Sequence, residues 1–198
     1  MKLFYPSSVL LMEMTFASEQ DLIRRARAGE SRAFEQLVCA FTPELFRVVR
    51  RMTGNTEDAE ATIQETFWRV WQALPRYQED RRFFPYLVTI AANLVRDAWR
   101  KERWVLPGEL DEETATLSGE LLTPEMQLEE TELLQALANA TEELPPPYRA
   151  VIALHYDAGL SYDETASMLN LPVNTVRTHL RRAKLVLSKK LEELYGKE

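Results

Sequence analysis

Apolar residues in this chain recur at helical spacing, and no long run alternates apolar with polar side chains. Phe34, Leu37, Val38 and Phe41 stand at i, i+3, i+4 and i+7, which puts them on one stripe of an α-helix. Thr42-Pro43-Glu44 reads as a restart, with a capping hydroxyl, a proline in the first turn and an acid at the positive end of the dipole. The helix it opens carries Leu45, Val48, Val49 and Met52 and stops at Gly54. Thr56-Glu57-Asp58 starts another, striped by Ile63, Phe67, Val70 and Leu74 and ended by Pro75. A polar loop runs from Arg76 to Arg82, and after Pro85 a helix bears Leu87, Ile90, Ala91, Leu94 and Ala98. The expected fold is all-α, and this first body is expected to hold four helices.

From Val105 to about Leu122 the periodicity fails, and Pro107, Gly108 and Gly119 interrupt an acid-rich stretch of linker composition. Thr123-Pro124-Glu125 then opens a helix with Leu133, Leu134, Leu137 and Ala140, and Leu144-Pro145-Pro146-Pro147 breaks it. Tyr148 to Tyr156 reads as the next helix. The chain carries a formal charge of −7, and the charge is uneven: residues 18–103 are net +2, residues 104–147 net −11, residues 148–198 net +2. The expected organisation is a leader (1–17), a helical domain (18–104), an acidic flexible linker (105–124) and a second helical domain (125–198). Two weakly basic units held apart by an acidic tether should bind free DNA poorly, because phosphate neutralisation drives non-specific affinity.

The leader has one lysine, an early proline and a short apolar run, unlike a signal peptide. No segment approaches the roughly 20 apolar residues of a membrane span, so a cytoplasmic chain without membrane insertion is expected. Its translation start is open among Met1, Met12 and Met14. The one cysteine, Cys39, excludes an internal disulfide and a multi-cysteine zinc cage, and its apolar neighbours suggest a buried, inert thiol. No nucleophile–base set, glycine-rich phosphate loop or metal cluster is visible, so neither an enzyme nor a cofactor is expected.

The stretch GLSYDETASMLNLPVNTVRTHLRR, residues 159–182, has the layout of a helix-turn-helix. Ala166 supplies the small residue for a close helix crossing, Asn170 tolerates a left-handed turn, and Val176 and Leu180 point inward. Asn174, Thr175, Arg177, Thr178, Arg181 and Arg182 are left for the outward side, with Lys184 continuing a run that has no acid between Glu164 and Glu192. Such a face suits DNA, with amides and short polar groups near phosphate and arginines toward base edges. A plain helical hairpin with a solvated basic face has the same composition. A stand-alone repressor or activator and a helical protein-interaction module are the competing readings. His155 and His179 are too far apart, with too few acids nearby, to make a metal site.

Leu144-Pro145, Tyr148-Arg149, Leu154-His155-Tyr156, Gly159-Leu160-Ser161-Tyr162-Asp163-Glu164 and Asn174-Thr175-Val176-Arg177 together resemble region 4 of the extracytoplasmic-function (ECF) sigma factors, bacterial RNA polymerase specificity subunits. Asp58-Ala59-Glu60 and Gln64-Glu65-Thr66-Phe67 with Val70-Trp71 are similar to that family's clamp-gripping helix. Phe83, Tyr86-Leu87, Ile90-Ala91, Asn93, Asp97 and Arg100 resemble its −10-element helix. The resemblance spans about Glu19 to Leu194; Thr165 stands where an aliphatic residue is usual. It implies that residues 18–104 are sigma region 2 and 125–198 sigma region 4. It implies docking on the polymerase clamp through Asp58, Gln64, Glu65, Trp68 and Trp71, although both tryptophans would equally serve to widen the core. It implies capture of an unstacked −10 base by the loop carrying Tyr77, Arg82 and Phe83, with Asn93 and Asp97 meeting the strand and Arg96, Arg100 and Lys101 on its phosphates. Phe83 and Tyr86 also fit a core. Duplex −35 DNA, the polymerase clamp and flap, and an anti-sigma factor complete the implied partners.

Overall fold

The computed structural model describes residues 16–77, 82–101 and 136–195, and every described element is helical. The expectations for the leader before residue 16, for loop residues 78–81, for the linker and for the helix start near Glu125 lie outside the described residues. Helices α1 (Phe16–Arg27), α2 (Ser31–Thr53), α3 (Thr56–Ala73) and α4 (Phe83–Lys101) form the first unit. Residues 136–142 are helical, and α5 (Pro146–Ile152) follows, running into a π-helical turn, Ala153–Asp157. Helices α6 (Tyr162–Leu169) and α7 (Val173–Tyr195) complete the second unit.

Several element bounds differ from the sequence reading: α4 starts at Phe83, ahead of Pro85, and α5 starts at Pro146 rather than Tyr148. The expected restart at Thr42-Pro43 does not occur: α2 is one 23-residue helix with Pro43 inside it. Proline removes its own N–H and crowds the carbonyl four residues back, but the residues on both sides bury one continuous face that outweighs this cost, Leu37, Ala40, Phe41, Leu45, Val48, Val49 and Met52. The Thr42 hydroxyl turns back onto the Val38 carbonyl at 2.6 Å. Helix α1 was not expected at all. It buries Ile23 and Ala26 against the rest of the unit, and its Glu19 carboxylate accepts the Phe83 N–H at 3.1 Å, capping the start of α4 from outside.

Cys39 is also corrected, since it is exposed. Its sequence neighbours Leu37, Ala40 and Phe41 are buried, but a helix turns about 100° per residue and carries position 39 off their stripe.

The two units are not held apart. They pack along a seam between the C-terminal half of α2 and the start of the second unit. Arg149 donates to the Leu144 carbonyl at 2.9 Å, to the Glu142 carbonyl at 3.0 Å and, across the seam, to the Thr53 carbonyl at 3.4 Å. Arg50 pairs with Glu142 at 3.0 Å, and Arg51 Nε lies 2.8 Å from Asp157 Oδ2. Arg96 of α4 donates to the Met168 carbonyl of α6 at 2.7 Å. The reason is local: Arg50 and Arg51 of α2 face the Glu142 and Asp157 carboxylates, and Arg96 of α4 faces the Met168 carbonyl at the end of α6, a match that whole-segment net charges hide. Burial pushes the Asp157 carboxyl above its usual range, more than Arg51 and Arg47 pull it down. With its folded value above the unfolded one, this group's contribution to stability falls as pH rises from the ordinary carboxylate range through the raised value.

Gly54 closes α2 in the left-handed region, at φ 84°, and the Arg149 guanidinium lies over it, 2.7 Å from where a Cβ would stand. Gly54→Ala is therefore expected to lower stability by about 1–2 kcal/mol, read in urea unfolding, through the strained φ alone. Displacement of Arg149 adds to that.

Candidate nucleic-acid interface

The second unit builds the expected helix-turn-helix. Helix α6 opens on a capping box: Ser161 Oγ accepts the Glu164 N–H at 3.2 Å while the Glu164 carboxylate accepts the Ser161 N–H at 2.8 Å. The Ser161 hydroxyl and N–H bonds hold the Glu164 carboxyl below its usual range. Asn170 ends the helix at φ 55°, ψ 48°, the one described non-glycine residue with positive φ, and the Leu171 N–H returns to the Ala166 carbonyl at 3.0 Å. Ala166, Val176 and Leu180 are buried at the crossing. Thr165 is fully buried, and its hydroxyl has no hydrogen-bond partner among the described residues. Thr165→Val keeps the shape and removes that cost, so thermal unfolding should show a gain of about 1 kcal/mol.

On the outward side Asn174, Arg177 and Lys184 are exposed, while Thr175, Thr178, Arg181 and Arg182 are half-buried. Arg177 donates to the Asn174 side-chain carbonyl at 3.4 Å. His179, on the same helix, is buried and packs on Tyr148, with ring centroids 5.3 Å apart. Lys184 lies over the Tyr156 ring, whose hydroxyl raises the lysine pKa by hydrogen bonding. Tyr156 and Tyr162, exposed beside the basic helix, were missed in the sequence. Their signal is the His155-Tyr156 pair and Tyr162 at the first position of α6.

In the first unit the residues expected at single-stranded DNA separate into three groups. Tyr77 and Phe83 are in the core, 5% and 0% exposed, with ring centroids 5.6 Å apart. Phe83 also meets Phe41 at 5.4 Å. Neither ring is placed to stack on a base, because both are turned into the helix bundle, where they pack on each other and on Tyr86. Asn93 and Arg96 form a second group: Arg96 donates to Asn93 at 2.8 Å and to the Met168 carbonyl of the second unit at 2.7 Å. Asp97, Arg100 and Lys101 form the third, around a pocket of about 430 Å³ that Arg69, Leu94 and Ala98 complete. Asp97 and Arg100 pair at 2.5 Å. Arg69, which also pairs with Glu65 at 2.7 Å, was not anticipated; nothing in its own segment places it beside α4. Arg82 is exposed.

Helix α3 separates its two tryptophans. Trp68 is 58% exposed, beside exposed Gln64 and half-buried Glu65, whereas Trp71 packs on Phe34 with centroids 4.8 Å apart. Asp58 is exposed at the helix start, where its N–H bonds Asn55 at 2.8 Å. Among the described residues no helix is long and apolar enough to cross a membrane, and no His, Cys, Asp and Glu cluster is placed to hold a metal.

The family model described as "Sigma-70 region 2" matches residues 37–105, and "Sigma-70, region 4" matches residues 134–187. The ECF RNA polymerase sigma factor SigW of Bacillus subtilis is 31% identical over 179 residues, which cover 87% of this chain and 96% of SigW. The chain belongs to the ECF sigma factors. As a member it is a specificity subunit of RNA polymerase acting in promoter-directed transcription. The sigma factor CarQ of Myxococcus xanthus is 32% identical over 174 residues, covering 88% of this chain and 95% of CarQ. The structure of CnrH in complex with the cytosolic domain of CnrY matches with a TM-score of 0.55 and 27% identity, covering 88% of this chain and 97% of CnrH. For this sigma factor, then, α6 and the part of α7 up to residue 187 lie within region 4, and α3 and α4 lie within region 2.

Proposed function

We propose that this sigma factor divides its work among three helix faces and is controlled by an anti-sigma partner. The outward side of α7, with Asn174, Thr175, Arg177, Thr178, Arg181, Arg182 and Lys184, reads duplex DNA at the −35 element. The single observation that carries this is the formed helix-turn-helix, whose left-handed Asn170 turn aims a helix face without acids away from the core. Helix α3 docks on the polymerase clamp through Trp68, Gln64, Glu65 and Asp58, with Trp71 bracing the helix from beneath, and the second unit meets the flap. Asn93, Arg96, Asp97, Arg100 and Lys101 of α4, with Arg82, hold the separated −10 strand. The domains proposed are residues 18–104 for polymerase and −10 contact and residues 125–198 for −35 contact, joined by an acidic linker. Control by an anti-sigma factor is supported by the likeness to CnrH, which was solved with the cytosolic domain of CnrY bound.

The test is run-off transcription with bacterial core polymerase and a promoter library. Addition of this chain should produce transcripts from defined starts. Arg177→Ala or Arg181→Ala should weaken −35 use, and substitution of Asn93 should shift −10 preference. A core enzyme that starts nowhere specific with the chain present would overturn the proposal.

A further inference from the structure

Three aromatic rings lie beside α7 that the −35 reading leaves without a task. His155 Nδ1 is 2.7 Å from the Leu160 carbonyl, which fixes the imidazole of the middle residue of the π-helical turn. The Tyr162 ring packs on that imidazole, with centroids 4.7 Å apart and planes inclined by 31°, and Tyr156 meets it edge-on at 4.8 Å. Above Tyr162 lies the Arg177 guanidinium, 5.8 Å from the ring centroid, and above Tyr156 lies the Lys184 ammonium at 5.4 Å. Both separations fall within the range, up to about 6 Å, over which a ring's quadrupole attracts a cation. The tyrosines are 38% and 51% exposed, so core packing does not account for them.

We propose that Tyr162 and Tyr156, seated on His155, form a shelf that positions Arg177 and Lys184 for DNA, making Tyr162 a specificity-determining residue at one base pair. An unsupported arginine on an exposed helix samples many rotamers and must lose that freedom on binding. On the shelf, the Tyr162 ring and the Asn174 carbonyl both hold the guanidinium, which stays exposed to solvent. A planar fork held in this way suits the paired acceptors on a guanine edge. Lys184, a point charge over Tyr156, suits a phosphate and carries no base information. Tyr162 therefore governs which base is accepted, and Tyr156 governs affinity for any sequence.

This inference rests on α7 reading the −35 element, so the experiment carries its own reference. Holoenzymes containing wild type, Tyr162→Phe, Tyr162→Leu, Arg177→Ala and the Tyr162→Leu/Arg177→Ala double variant transcribe from a promoter selected by the wild type. Each single-base change in its −35 element is assayed in parallel. Tyr162→Leu should reduce discrimination roughly two- to fivefold, at the one base pair that Arg177→Ala also relaxes. Tyr162→Phe keeps the ring and should keep the discrimination, and the double variant should lose no more than Arg177→Ala alone. Tyr156→Leu should weaken all templates alike and lower the salt dependence. Unchanged discrimination in Tyr162→Leu, a loss spread evenly over all base pairs, or additive losses in the double variant would each overturn the shelf. If Arg177→Ala relaxes no base pair while transcription persists, the base-reading assignment of Arg177 fails, and the shelf fails with it.

Discussion

Phe83→Ala is expected to destabilise the first unit by about 3–5 kcal/mol, a loss large enough to leave little folded protein at physiological temperature. The ring is fully buried, touches Phe41, Tyr77 and Tyr86, and its own N–H is held by Glu19. Its removal leaves a cavity at the junction of α1, α2 and α4. Equilibrium unfolding in urea measures the loss directly. A residue that catches an unpaired base behaves oppositely, keeping stability and losing promoter opening. A Phe83→Ala protein that unfolds like wild type but fails to open promoters would restore the base-catching role and refute the packing account. Phe83→Leu should recover most of the stability, since it refills much of the volume.

Trp68→Ala should behave as the mirror case. Its ring is 58% exposed, so stability is expected to change by no more than about 0.5 kcal/mol. Polymerase affinity should fall by about 2 kcal/mol, roughly thirtyfold, because a large exposed aromatic on a polar helix face is typical of an interface hot spot. Trp71→Ala should invert the pattern, losing stability through its contact with Phe34. Fluorescence anisotropy of labelled protein titrated with core polymerase, alongside thermal melts, separates the two positions. Equal behaviour of both variants in both assays would show that α3 does not present two distinct faces.

Helix type, the helix-turn-helix and the left-handed asparagine were legible because each follows from spacing or from one residue's backbone tolerance. Val176 and Leu180 had to face inward at i, i+4, and Asn170 was the residue between α6 and α7 best able to adopt positive φ. What stayed hidden depends on partners remote in sequence. Nothing near Cys39 says which side of α2 is covered, and nothing in the Tyr77–Phe83 segment says that α1 supplies Glu19 to receive the Phe83 N–H. The site residues that sequence reasoning missed, Arg69, Tyr156 and Tyr162, have ordinary local contexts and acquire meaning only beside α4 or α7. Pro43 misled for a related reason: a local breaker lost to the packing of a continuous apolar face.

Arg96 has both of its terminal nitrogens engaged, one on the Met168 carbonyl and the other on Asn93. A guanidinium occupied in this way has to let go before it can grasp a phosphate, and each charge-assisted bond released is worth about 1.5–3 kcal/mol. On the proposal that Arg96 holds the separated −10 strand, melting there and loosening of one half of the molecule from the other would draw on the same side chain, and each would favour the other.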